Sequence, residues 1–165
     1  MKLLIKSNYK KYISIIIAVL SVFVIVGITW LFYDFHNVPA CKSVIKIIRP
    51  INGEKEESLL LLSVVPSGFR ETTFVINGHA SAGNGGYTVS RVIEADYTYK
   101  SGYYHFTVKD VKKQPADNIE QDEVSKTIPI LNSKYFLLKI ERLSNNSFVF
   151  TGNRAPAFIC TKTTR

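Results

Sequence analysis

The chain is poor in the residues from which most active sites are built. Its 165 residues include two cysteines, three histidines, one tryptophan and one methionine. His36, His79 and His105 fall on different segments, and none has a His, Cys or carboxylate partner at zinc-like spacing. No G-x-S-x-G nucleophile elbow occurs. The glycine cluster "GNGG", Gly83 to Gly86, lacks the Lys-Ser/Thr pair and the following helix of a phosphate loop, so it reads as a hairpin turn. The "NNS" sequon at Asn145 also reads as a turn. The expectation is a protein that is not an enzyme and has no catalytic residues, metal or cofactor.

Charge is missing from one long stretch. From Tyr12 to Tyr33, "YISIIIAVLSVFVIVGITWLFY", 22 consecutive residues carry none. At about 1.5 Å per residue a helix of that length crosses a hydrocarbon core of roughly 30 Å. A secretory signal would have a shorter apolar centre of about 7 to 15 residues followed by a small-residue cleavage site. Here Trp30, Phe32 and Tyr33 stand instead where an interfacial aromatic belt belongs. The reading is an uncleaved transmembrane helix over 12–33, preceded by a short basic tail (1–11) and followed by a linker (34–40) and a β domain (41–165).

Charge of one sign sets the orientation. Lys2, Lys6, Lys10 and Lys11 precede the helix and Asp34 is the first charge after it, which predicts a cytoplasmic N-terminus and an exported remainder. Four of the 21 basic residues lie in the tail, so the net charge of +8 leaves 17 basic against 13 acidic residues outside. That spread-out excess gives no argument for nucleic acid as a partner. The partner in contact with 12–33 is the lipid bilayer.

Beyond Cys41 the hydrophobic period becomes two, the mark of half-buried strands. "TTFVINGHA" places Phe74, Ile76 and Ala80 on one face, and "TVSRVIEADYTYK" does the same with Val89, Ile93, Ala95, Tyr97 and Tyr99. "YYHFTVKD" follows with Tyr104, Phe106 and Val108; "KYFLLKIERL" with Phe136, Leu138 and Ile140; then "SFVF" and "AFICTK". With "CKSVIKIIR" and "SLLLLSVV" ahead of them, about eight strands are predicted. "SAGNGGY", "KSGYY" and "SNNS" supply tight turns, while "KKQPADNIEQDEVSKTIP" is a long polar connection with room for a short helix. Sequential hairpins without long apolar helices predict a mainly β domain, an antiparallel eight-stranded meander curled into a barrel or strongly bent sheet.

Two features stand out of this pattern. Arg91 is in register with Val89, Ile93, Ala95 and Tyr97, so its guanidinium points to the apolar face, where an unpaired charge is costly. It marks a local bulge, or is a long stem snorkelling to the barrel mouth, or is an anchor for an acidic ligand head or a partner carboxylate inside the cavity. In the second reading Tyr97, Tyr99, Tyr104 and Phe106 are its neighbours and join it as ligand-binding candidates. The other feature is the pair Cys41 and Cys160, one at each end of the β domain. In an oxidising compartment an even count suggests a bridge, which would close a loop of about 120 residues and stabilise by roughly 4–5 kcal/mol in the chain-entropy account. Lipid attachment at the lipobox-like "VPAC" and a free thiol are the alternatives; the long apolar run, the intervening "DFHN" and the proline count against lipidation.

The short lysine tail, the helix ending "ITWLFYDF", the cysteine just beyond it, "GGYTVSRVIEADYTY" and the terminal "FICTK" resemble the FidL-like inner-membrane proteins. Such proteins are similar in arrangement to ToxS and VtrC, accessory subunits of membrane-bound ToxR-type transcription regulators. The resemblance implies a lipocalin-like barrel on the periplasmic side of the bacterial inner membrane, forming a heterodimer with the regulator's periplasmic domain. It also implies, as in some relatives, an acidic amphiphile such as a bile salt as ligand. A cytoplasmic tail of about a dozen residues is too short to carry a signal alone, which agrees with a partner. The alternative function is a lipocalin-like carrier or envelope assembly factor that acts without a regulator.

Overall fold

The computed structural model describes residues 2–35, 37–51, 54–82, 85–119, 133–153 and 155–163. They form two compact units, Met1–Asn37 and Val38–Arg165. The first is one helix, α1 (Lys2–Phe35), whose stretch Lys11–Trp30 is long and apolar enough to cross a membrane. Within Lys11–Trp30 the side chains are exposed on every side, with Phe23 and Trp30 each 73 % accessible. A helix that buries no stripe of its own has the composition of one solvated by lipid. The helix runs past the apolar stretch at both ends, because each residue added to an existing helix completes a backbone hydrogen bond.

The second unit is a closed barrel of eight antiparallel strands in sequential order. They are β1 (Cys41–Ile51), β2 (Glu54–Gly68), β3 (Glu71–Ala82), β4 (Gly85–Lys100), β5 (Tyr103–Lys113), β6 (Tyr135–Arg142), β7 (Ser147–Thr151) and β8 (Pro156–Lys162). The predicted turns at Ser101–Gly102 and Ser144–Asn146 are where the chain reverses. Ser101 (φ 54°) and Gly102 (φ 84°) adopt the left-handed pair that a tight hairpin requires. The turn at 83–84 and most of the long connection lie outside the described residues.

The predicted faces hold. Phe74, Ile76, Ala80, Val89, Ile93, Ala95, Tyr97, Tyr104, Phe106 and Leu138 are all buried in the core. Ring contacts run from Phe74 to Phe106 (5.4 Å) and from Phe106 to Phe136 (4.9 Å), while Phe150 stacks on Phe158 at 4.6 Å. One departure concerns the domain boundary. Val38 is 1 % exposed and belongs to this core, so the barrel begins at Val38, inside the segment expected to be a free linker. Val38 stands three residues before the strand and packs into the core cluster, and burying such a side chain is favourable by about 1.5–3 kcal/mol.

The strands are unequal. β1 to β5 are long and paired along their lengths, whereas β6 to β8 are short. Among the described residues β5 pairs with β6 from Tyr104–Leu138 to Thr107–Tyr135, and β8 with β1 at Cys41–Lys162 and Lys42–Thr161. At that second seam the Cys41–Cys160 disulfide closes the ring, with Cα atoms 5.5 Å apart across a sequence separation of 119. Gly78 serves the tall wall. A Cβ there would lie 2.1 Å from the Leu59 carbonyl oxygen, so only glycine lets β3 approach β2 so closely.

Candidate functional site

Outside the barrel, alternation along β1 and β2 leaves large aliphatic side chains in solvent. Val44 (68 % exposed) lies opposite Leu61, Lys46 lies opposite Leu59 (56 %), and Ile48 (53 %) opposite Glu57. Lys46 and Glu57 pair across them at 2.8 Å. Beside this face runs the edge of β1. Because β8 ends its pairing at Lys42, the stretch from Ser43 to Ile51 has a strand on its β2 side and, among the described residues, none on the other. An apolar face next to an open strand edge is a template for another chain.

Inside the barrel, Arg91 points inward, as its register predicted, and its partner is a carboxylate of the same chain. Arg91 Nε donates to Asp117 Oδ2 at 3.0 Å, with the two side chains 3 % and 0 % exposed. The Ser90 N–H donates to the same oxygen at 2.9 Å, and Lys113 Nζ stands 3.5 Å from Asp117 Oδ1. Burial works against ionisation of this carboxyl, but the hydrogen bonds from Arg91 and Ser90 and the charges of Arg91 and Lys113 outweigh it. Its pKa therefore falls below the ordinary 3.8.

Local structure explains how Asp117 arrives there. A bulge between Glu94 and Ala95 of β4 makes Lys109 an extra residue on β5 and shifts the alternation beyond it. Val111 and Lys113 then oppose Ile93 and Arg91, on the inward side. After Lys113 the chain turns at Gln114 to Asp117 and runs back along β4. The Gln114 N–H donates to the Ser90 carbonyl (2.9 Å), the Asn118 N–H to the Thr88 carbonyl (3.1 Å), and the Thr88 N–H to Asn118 Oδ1 (2.7 Å). Ile119, fully buried, anchors the end of this strap.

The aromatic candidates form a separate group. Tyr97 pairs with Phe106 and Tyr99 with Tyr104 across the β4–β5 ladder, and the Tyr99 and Tyr104 rings are 5.0 Å apart. Burial, then the neighbouring phenols of Tyr99 and Tyr97, push Tyr104 up to about 12. Six residues separate Arg91 from Tyr97, about 20 Å of strand, with Ile93 and Ala95 buried between them. The expectation that these rings flank the guanidinium is therefore corrected, since period two sets the face but not the distance along it. Tyr99 is also 41 % exposed, at the strand end rather than in the core.

Cys41 and Cys160 are joined, which removes the lipid-anchor and free-thiol alternatives for both. His79 and His105 are exposed, and His36 lies outside the described residues. Among the described residues no three His, Cys, Asp or Glu side chains stand together as a metal site. The residue that sequence reasoning missed is Asp117. Its signal was indirect: a buried arginine demands a carboxylate, and "PAD" follows the strand that pairs with Arg91.

No protein-family model matches this chain, and no curated protein does.

Proposed function

We propose that this protein is a single-span accessory subunit of the bacterial inner membrane. Its exported barrel docks on, and stabilises, the exported domain of a membrane-bound transcription regulator. The observation that carries the reading is the edge of β1 from Ser43 onward, which among the described residues has no strand beside it, next to the exposed Val44, Ile48, Leu59 and Leu61. A strand of the partner adds to that edge by backbone hydrogen bonds while its alternate side chains cover the aliphatic face. The lysines before α1 support a cytoplasmic N-terminus, which puts the barrel on the partner's exported side. A subunit that binds only the folded regulator stabilises it by mass action, and a ligand that tightened the pair would add to the effect.

The carrier alternative receives less support. The interior holds packed side chains such as Phe106, Phe150, Leu60 and Val89, and Arg91 already has a carboxylate. An eight-stranded barrel either is filled by its own side chains or holds one small ligand, and here the described core residues pack on one another.

Purification of the tagged full chain from membranes tests the reading. The expected result is recovery of a DNA-binding protein with one membrane span, abolished by Val44→Glu with Leu61→Glu while the disulfide still forms. Recovery of the chain alone, with regulator output unchanged by its deletion, would overturn it.

A further inference from the structure

One end of the barrel, here the near rim, is where β1 begins. It carries the β2–β3, β4–β5 and β6–β7 turns and the end of β8. Large apolar side chains stand exposed on these turns: Phe69 (68 %), Leu143 (62 %), Tyr99 (41 %) and Tyr103 (39 %). Among them are exposed basic residues, Arg70, Lys100, Arg142 and Lys162. The acidic residues just below are engaged by lysines, Glu71 and Asp96 with Lys109 and Glu141 with Lys139, so the rim itself keeps an excess of positive charge.

Arg70 adds a second observation. Its backbone is left-handed (φ 56°), a conformation that glycine adopts without strain and arginine does not. The turn nevertheless holds an arginine, whose guanidinium lies 5.4 Å over the Phe69 ring. Strain kept at an exposed turn points to a use for the side chain.

The third observation is reach. α1 ends at Phe35 and Val38 is already fixed in the barrel core. The chain between them spans at most about 10 Å.

We infer that the near rim is a lipid-binding surface, in which Phe69, Leu143, Tyr99 and Tyr103 enter the headgroup layer while Arg70, Lys100, Arg142 and Lys162 bind anionic headgroups. Aromatic rings are favoured at that depth, and each basic residue near an anionic surface strengthens binding roughly fivefold. The inference rests on α1 spanning a bilayer and not on the regulator.

The test uses the full chain, with Trp30→Phe removing its one tryptophan. Phe69→Trp then reports the near rim and Ala155→Trp the β7–β8 turn at the opposite end, in vesicles whose lipids carry a nitroxide at the headgroup. With phosphatidylglycerol and phosphatidylcholine in equal parts, the expected result is at least roughly twofold stronger quenching at 69 than at 155. Quenching at 69 falls in phosphatidylcholine alone and falls again with Arg70→Gly plus Lys100→Gln. Arg70→Gly relieves the turn, so its unfolding midpoint stays the same or rises, which separates lost binding from lost folding. Equal quenching at both ends, or quenching at 69 insensitive to lipid charge and to these substitutions, overturns the proposal. Partner recovery is unaffected by either outcome, because these vesicles hold no regulator.

Discussion

The tall wall of the barrel, β1 to β5, and the short wall, β6 to β8, are held by different means. The tall wall is a continuous ladder of hairpins, in which each strand is paired along most of its length with one made moments earlier in the chain. Among the described residues the short wall closes a ring through two brief seams, the one between β8 and β1 reinforced by the Cys41–Cys160 bond, while the strap that Asp117 pins to Arg91 lies along β4. The difference teaches that a sheet assembled from local pairs needs no staple, while closure between chain ends does. Among the described residues β1 also outgrows β8, so its edge from Ser43 onward has a strand on the β2 side alone.

The comparison can be broken at its weakest seam first. Replacing Cys41 and Cys160 by serine is expected to cost about 4–5 kcal/mol of stability in urea unfolding. Hydrogen exchange should rise earliest in β8 and the start of β1, with β2–β4 keeping their protection. Uniform loss across all eight strands would mean that the walls are not distinct.

Next is the strap. Asp117→Ala leaves a buried guanidinium without its carboxylate and is expected to cost about 3–5 kcal/mol, with Arg91→Ala of similar size. Arg91→Met with Asp117→Leu should recover most of that loss, because an apolar pair of similar volume carries no desolvation penalty. The carboxyl also predicts an acid limb: its contribution is complete above the ordinary 3.8 and is lost as pH falls through its lower folded value. Asp117→Asn should flatten that limb.

A smaller effect belongs to the aromatic group. Tyr104 titrates at about 12 in the barrel against an ordinary 10.0, so its contribution is complete below pH 10 and is lost as pH rises toward 12. Tyr104→Phe should remove this alkaline limb in a pH series of unfolding midpoints. The smallest change is expected at Lys112, exposed on the outside of β5, where Lys112→Ala breaks a solvent-screened pair with Glu94 and should leave the unfolding midpoint nearly where it was.

Most of this architecture was legible in the residues. Alternation marked all eight strands to within a few residues, because each has one buried and one wet face, and the disulfide followed from two cysteines at opposite ends of one domain. Three things were not legible. The bulge at Lys109 inverts which β5 residues face inward, and a pattern of period two cannot announce its own interruption. The Arg91–Asp117 pair depends on a strap that lacks any periodicity. The open β1 edge arises from unequal strand lengths on opposite sides of a closed ring, which only the register reveals.

The central claim is that the β1 edge receives a partner. A photo-crosslinking amino acid at Ile48 of the full chain, irradiated in intact cells, tests it most directly. The account predicts one dominant protein adduct, whose partner carries a DNA-binding domain and a single membrane span, and its loss with Leu61→Glu. An adduct with a second copy of this chain, or none at all, would contradict it.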